Sequence, residues 1–562
     1  MSALPCPVAD PFAVADDAYA TITKFLHSEE ARRVKHSDLE RQLEAMGREL
    51  MRKLLQAHLD LRQPGEAREP VRDAAGATLT PTPVHTRSLE TIFGTVEVAR
   101  TGYRGGGTPS LHPLDGALNL PQEKYSLEVR RRVAIEAAKG AFDEGIKTLE
   151  RYSGAHVPKR QFEELVMRAA QDFEAFYEER QRGAHADAET GPILVLTVDG
   201  KGVVMRPEDL RAATRRAAAE RARSLTARLE RGRRLHAKRM ASVAAIYTVQ
   251  PFVRTAEEIF PASEEPRQAP WRPRPEHKRV WASLEQSPQE AVTAMFDEAA
   301  QRDPKGQKLW IALVDGNESQ IEHLHRLAEE RKVPLLLVVD FIHVAQYVWE
   351  AAAAFFPGQE TEQDRWVRAH LLEILRGKAS LVAAGMRRSA TLRAMGAAER
   401  EPVDVCADYL LKYSPYLQYE KALAAGVPIA TGVIEGACRH LVEDRMNLTG
   451  ARWSLSGAEA VLHLRALRAS DDFDDYWEFH EKHEYERNHA SHYADHHVPE
   501  TVAPATFSSG PNRRSTLKIY TKGERVLRIE VIVHNTKELS CGRSLPNFPQ
   551  IVFMLRNSRS CT

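Results

Sequence analysis

The chain has 562 residues, too many for one compact core and enough for two to four units of about 100 to 200 residues each. Hydrophobic residues make up 43% and charged residues 28% of it, which excludes a disordered chain, and no apolar run is long enough for a membrane-spanning helix. Lys plus Arg and Asp plus Glu stand at 78 each, so net charge alone points to no polyanionic partner.

The opening stretch, MSALPCPVADPFAVADD, is acidic and lacks both a basic segment and a long apolar one. A soluble, cytoplasmic protein without a secretory signal is expected. Residues 17–61 predict helix, with Ile22, Phe25, Leu39, Leu43, Met46, Leu50 and Leu54 at three- and four-residue spacing. RSLETIFGTVEVARTGYR alternates around Gly94 as a small hairpin does. Helical sequence then runs from about Ser126 to Tyr177. Pro158 begins its last part, followed by Lys159 and Arg160, in the pattern of the second helix of a helix-turn-helix.

At GPILVLTVDGKGV the pattern changes to buried strand, with Ile193 to Val198 ending in Asp199 and Gly200. Similar strands are predicted from Ser242, Leu309 and Val333, with a helix over about Ser319 to Lys332 and another before Leu309. Between them, Arg211 to Arg239 carries eleven basic residues against Glu220 and Glu230, a local excess of nine positive charges. Such a stretch displaces counterions from a phosphate backbone, or is simply a solvated helix face. Residues 344–425 predict a helical block, after which VPIATGVIEGACRHLVEDRMNLTGARWS resumes with Glu435 at a helix start. The histidine-rich segment from His480 to His497 matches no closed metal-ligand set and is expected to be a solvated extension. LKIYTKGERVLRIEVIVHN predicts a hairpin of unassigned role. The five cysteines form no C-x-x-C pair, so structural zinc is not expected, and Cys406 and Cys438 are expected to pack.

The chemistry lies in the acids. Asp199 in LTVDG and Asp315 in ALVDG are expected at the carboxyl ends of buried strands, the edge where open α/β sheets bind ligands. Glu435 opens a helix that can return to the same edge. Three converging carboxylates repel one another, and a pair of Mg²⁺ or Mn²⁺ ions relieves that repulsion and activates an oxygen nucleophile toward a phosphodiester. A D-G pair at a strand end is also an ordinary turn signal.

TVDGKG, LVDGN, VVDFIH and GVIEGACRHLVEDRMNLTGARW, in this order and with a long helical block before the last, resemble the Kra-type insertion-sequence transposases of the DDE class. The resemblance runs from about Phe93 to Trp477 and includes PLDGALNLP and RWSLSGAEAVLHLRAL. It implies a multidomain chain, mainly α plus α/β. The parts are an N-terminal helical DNA-binding region (1–185), an RNase H-like α/β core (190–343 and 426–475) interrupted by an all-helical insertion (344–425), and a C-terminal extension (476–562). It implies Asp199, Asp315 and Glu435 as catalytic metal ligands for two ions, and it matches Asp340 and His343 to a C/D-x-x-H motif, with His343 among the catalytic residues and Asp340 in a supporting role. Asp340 in place of Asp315 as second ligand is the competing assignment, because both follow apolar strands. Lys159, Arg160, Arg233, Arg234, Lys238, Arg239, Arg439, Arg445, Arg452 and Trp453 are the candidate DNA contacts; Trp453 is equally a candidate core residue.

The implied activity is that of a DNA transposase. It would bind terminal inverted repeats as a dimer or larger assembly, nick DNA by metal-assisted hydrolysis and join the 3′-hydroxyl to target DNA. An RNase H-like nuclease that cuts without joining, a domesticated DNA-binding protein and a purely structural protein are the alternatives.

Overall fold

The computed structural model describes residues 10–62, 65–105, 109–182, 190–224, 238–260, 272–448, 450–502, 514–522 and 525–534. The protein is mainly helical around one mixed sheet of five strands: β1 (Ile193–Val204), β2 (Lys238–Val249), β3 (Glu276–Ser283), β4 (Leu309–Val314) and β5 (Leu335–Val339). The order across the sheet is β3-β2-β1-β4-β5. β1 pairs antiparallel with β2 and parallel with β4, β2 pairs antiparallel with β3, and β4 pairs parallel with β5.

β1 is central because ILVLTV is apolar on both faces, and all six residues are buried. It does not end at the Asp199-Gly200 turn that the sequence predicts. It runs on to Val204, because β2 is equally long and pairs with it to the end, Val204 opposite Lys238. What ends near Asp199 is the parallel ladder to β4, whose last pair is Thr197 with Leu313. β3 was not among the predicted strands: EHKRV opens polar, and burial begins only at Arg279. The helix Pro288–Arg302 connects β3 to β4, with a Ser287–Glu290 capping box at its start. The helix Glu318–Glu330 connects β4 to β5. Among the described residues, no helix is long and apolar enough to cross a membrane.

Five helices fill the interval between β5 and the last acid: Phe341–Phe355, Glu360–Leu375, Ala379–Leu392, Ala397–Lys412 and Tyr419–Ala424. Upstream of the sheet, the expected helix over 17–61 is three helices, Ala13–His27, Glu29–Arg33 and His36–Leu61. Ser28 sets one of the breaks, with extended backbone and a hydroxyl that accepts the Ala31 N–H at 3.2 Å. The hairpin forms as predicted, with His85–Thr91 antiparallel to Gly94–Arg100. Arg514–Lys522 and Arg525–His534 form the predicted C-terminal hairpin.

Buried side chains from Tyr125 through the sheet and the helical block to Trp477 make one continuous apolar cluster. The first part of the segment after it is not a solvated extension. The helix Phe473–Asn488 buries Phe473, Tyr476, Trp477, His480 and Glu484. His480 is 0% exposed, with Nδ1 2.6 Å from Asp172 Oδ2 and Nε2 accepting from Arg130 at 3.0 Å. Arg130, itself fully buried, also pairs with Glu484 at 2.6 Å and with Glu123. His480 and His483 lie on this helix, which the ion network fastens through His480 and Glu484, whereas His492, His496 and His497 lie beyond it and are exposed. Arg130→Met is expected to take from buried Glu484 and His480, and from Glu123, their shared cationic partner and to cost about 3 to 5 kcal/mol, measured as a fall in the urea midpoint.

Candidate active site

Continued two residues past Thr197–Leu313, the parallel register sets Asp199 beside Asp315. Continued one residue past Val314–Val339, it sets Asp315 beside Asp340, whose N–H donates to the Val314 carbonyl at 2.8 Å. Three acids therefore stand in one row where the parallel ladders of β1, β4 and β5 end, with Asp199 inside β1 and Asp315 and Asp340 just past β4 and β5. Side chains in register on parallel strands share a face. The row also marks where the strand order reverses: the chain runs from β1 to β2 and β3 on one side and returns to β4 and β5 on the other.

Each acid has a different environment. Asp199 Oδ1 accepts the Gly200 N–H at 2.6 Å, and Oδ2 accepts the Cys438 thiol at 3.1 Å. Asp315 is half-buried and accepts the Asn317 N–H at 3.1 Å. Burial pushes its carboxyl above the usual range, the Asn317 bond opposes this, and the nearby Asp199 charge adds to it. Asp340 is only 3% exposed, and three donors meet its carboxylate. Oδ1 takes the N–H groups of Ile342 and Thr431 at 3.1 and 3.2 Å, and Oδ2 takes the Thr431 hydroxyl at 2.6 Å. Its carboxylate thus caps the helix Phe341–Phe355 and ties it to the loop four residues before Glu435.

Glu435 lies in the helix Gly432–Ala437, which continues without a break as the π-helical Cys438–Glu443 and then Asp444–Met446. A π segment leaves main-chain carbonyls poorly paired, and Arg465 donates to two of them, Leu441 at 2.9 Å and His440. Lys201, farther along β1, pairs with Glu443 at 3.0 Å and holds this helix against the strand. Glu435 remains exposed; desolvation first, then the charges of Asp340 and Asp199, hold its carboxyl above the usual range, while His343 opposes them. His343 acts on Asp315 in the same direction, so its imidazole sits within electrostatic reach of both acids.

The helical block braces the row from one side. Tyr409 donates to the Asp315 carbonyl at 3.0 Å, Tyr413 donates to the Gly316 carbonyl, and Tyr419 donates to the Val339 carbonyl at 2.8 Å. Tyr347 stacks on Tyr409 with centroids 4.2 Å apart, and His343 sits edge-on to Tyr347 at 5.4 Å. Gly316 has φ +98° and no room for a Cβ, which would lie 2.9 Å from the Tyr409 hydroxyl. Sequence reasoning did not identify Thr431, Cys438 or these tyrosines. Only Cys438 carried a signal, three residues after Glu435 on one helix.

Among the described residues, one set of three metal-ligating side chains has all its ligand atoms within 4.8 Å: Asp172, His480 and Glu484. Asp199, Asp315 and Glu435 do not converge that closely. Arg130 and Arg487 already neutralise the first set, which leaves it no charge for a cation.

The candidate DNA contacts separate. Lys159 and Arg160 lie at the exposed start of the helix Lys159–Ala170, which follows Phe142–Tyr152 after a short connection, and they pair with Asp143 and Glu164. Phe162, Leu165, Val166 and Ala169 of that helix are buried. Arg233 and Arg234 lie outside the described residues. Lys238 is exposed at the start of β2, whereas Arg239 donates to the carbonyls of Leu284 and Asp209. Arg439 and Arg452 are exposed. Trp453 is a core residue, 7% exposed, and its indole N–H donates to the Met446 carbonyl at 3.2 Å. Arg445 is buried against the Trp453 and Phe142 rings and donates to the Ala137 carbonyl, so neither residue faces a ligand.

No protein-family model and no curated protein matches the chain. Among solved structures, a chain of the Drosophila P element transposase strand transfer complex matches with 9% identity, over 61% of this chain and 79% of that one, at a TM-score of 0.22. A likeness at that score carries no argument about fold or function.

Thr431→Val keeps the volume near Asp340 but removes the hydroxyl donor. It is expected to lower stability by about 1 to 3 kcal/mol, measured by thermal or urea unfolding, whereas Cys438→Ala is expected to cost less.

Proposed function

We propose that the chain is a metal-dependent DNA transposase of the DDE class, with Asp199, Asp315 and Glu435 holding two Mg²⁺ or Mn²⁺ ions on an RNase H-like core. The observation that carries this reading is the parallel register that sets Asp199 beside Asp315 at the strand-order reversal, with Glu435 electrostatically coupled to the same edge. The mixed sheet and the five helices inserted before the last acid are consistent with the RNase H-like core and helical insertion.

The donor set suits hard divalent cations: oxygen ligands, raised carboxyls on Asp315 and Glu435, and mutual repulsion without a neutralising guanidinium. Two ions about 4 Å apart need carboxylates that flank them rather than meet at one point, which fits the wider spacing of these three. When bound, such ions activate an attacking oxygen and stabilise the leaving one. The chain's own residues do the positioning. Asp340 is a positioning residue, because its bonds to Thr431 fix where the Glu435 helix starts, and this favours Asp315 over Asp340 as second ligand. His343, near both Asp315 and Glu435, is a candidate to meet a phosphate oxygen. Exposed Lys159, Arg160, Lys238, Arg439 and Arg452, with Arg233 and Arg234, are proposed to contact the backbone of element-end and target DNA. Pairing two ends requires a dimer or a larger assembly.

Element-end DNA is incubated with wild type, Asp199→Asn, Asp315→Asn and Glu435→Gln, with Mg²⁺ or Mn²⁺. Each substitution is expected to reduce cleavage and joining by at least about 10³-fold while end binding persists. Cleavage without joined products would favour the nuclease alternative, and binding without cleavage by wild type would favour a domesticated DNA-binding protein.

The raised carboxyls also set a pH dependence. In the metal-free protein, Asp315 and Glu435 bind protons more tightly folded than unfolded. Their contribution to stability is therefore full below the ordinary carboxylate range and is lost as pH rises through the raised values. Asp315→Asn is expected to raise the Tm of metal-free protein at pH 7 and to abolish the further rise that Mn²⁺ gives wild type, both read by calorimetry.

A further inference from the structure

A cavity of about 480 Å³ lies among the N-terminal hairpin, the 109–122 segment and the 488–493 segment, and none of the three proposed ligand acids lines it. Its volume is that of a small-molecule site. Two guanidiniums reach into it from paired strands, Arg87 and Arg100. They share one carboxylate, Asp115, which lies 3.6 Å from Arg87 and in direct contact with Arg100. The other acid on the wall, Asp73, is turned to its own loop, where Oδ1 accepts the N–H groups of Ala75 and Ala77. Two guanidiniums and two carboxylates thus line the cavity, with Arg87 also donating to the Pro121 and Glu123 carbonyls and Asp73 held by main-chain N–H groups.

Two buried polar atoms here lack partners: Arg100 Nε, a donor, and Asp115 Oδ1, an acceptor. Buried groups of this kind are rare without a ligand or water to meet them. An oxyanion answers the first and a hydroxyl answers the second. His112 is held neutral, its pKa pulled down to about 3 by burial and by the Arg100 charge, so it adds no charge to the wall. Exposed His492 stands at the wall beside half-buried Asn488.

We propose that this cavity binds a phosphate monoester carried on a hydroxyl-bearing sugar, with Arg87 and Arg100 on the phosphate and Asp115 on a hydroxyl. Guanidinium forks match phosphate oxygens, and the carboxylate orients the pair. A free sugar phosphate supplies both groups, whereas the 5′-phosphorylated end of a DNA strand, whose terminal deoxyribose has no free hydroxyl, supplies the monoester alone.

The test is calorimetric titration of the full chain in EDTA, which keeps the Asp199, Asp315 and Glu435 site out of the reading. The probes are ribose 5-phosphate, ribose, and a short oligonucleotide with and without a 5′-phosphate. Saturable binding of a phosphorylated probe is expected, with its unphosphorylated twin at least about tenfold weaker. Arg100→Gln is expected to abolish the difference. His492→Glu, on an exposed residue, is expected to weaken binding by about tenfold without changing the Tm, so it serves even if Arg100→Gln fails to fold. Preference for ribose 5-phosphate identifies a free metabolite, and preference for the phosphorylated oligonucleotide identifies a strand end. Absence of saturable binding by either phosphorylated probe, or equal binding by wild type and His492→Glu, overturns the proposal.

Discussion

The parallel register between β1 and β4 is the constraint on which the rest of the site depends. A slip of one residue would move Asp199 or Asp315 to the opposite face of the sheet and separate them by its thickness. The register is held because β1 is apolar on both faces and β4 is buried along all but its first residue, so any shift exposes branched side chains. β1 then outlasts β4 and continues as a hairpin with β2. That continuation places Lys201 where it pairs with Glu443 and draws the final helix to the strand.

The second constraint is the Asp340–Thr431 contact. A buried carboxylate survives only with its oxygens satisfied, and here three donors meet it: one from a helix start and two from Thr431. The contact closes a long excursion of the chain, because the whole helical block lies between its two ends. The block is thus more than an insertion hung on the core. Its tyrosines hold the backbone at Asp315, Gly316 and Val339, so the edge of the sheet is rigid where the acids leave it.

A third set of contacts joins helices that precede the sheet to the helix that follows it. The helix Phe473–Asn488 is fastened by Arg130, His480, Asp172 and Glu484, a network that superficially resembles a metal site but carries its own cations. The acids at the sheet edge are the reverse case: similar chemistry, raised carboxyls on Asp315 and Glu435, and no guanidinium. The difference between a structural ion network and a candidate cation site lies in which charges are already answered.

The sequence by itself determined the strands carrying Asp199 and Asp315, the helical block, the hairpins and the helix bearing Glu435, because these follow from periodicity and from turn and cap residues within a few positions. It left open the choice between Asp315 and Asp340, since both follow apolar strands, and it missed β3, whose polar opening hides its buried half. Only the tertiary structure decided that Asp340 is bound to Thr431, 91 positions away, that the Cys438 thiol meets Asp199 across 239, and that Arg130 reaches His480 across 350. It likewise moved Arg445 into the core, decided for the core reading of Trp453 and packed the start of the histidine-rich segment into a helix. Such contacts join residues whose local patterns are independent of one another, so only the packing of the chain brings their partners together.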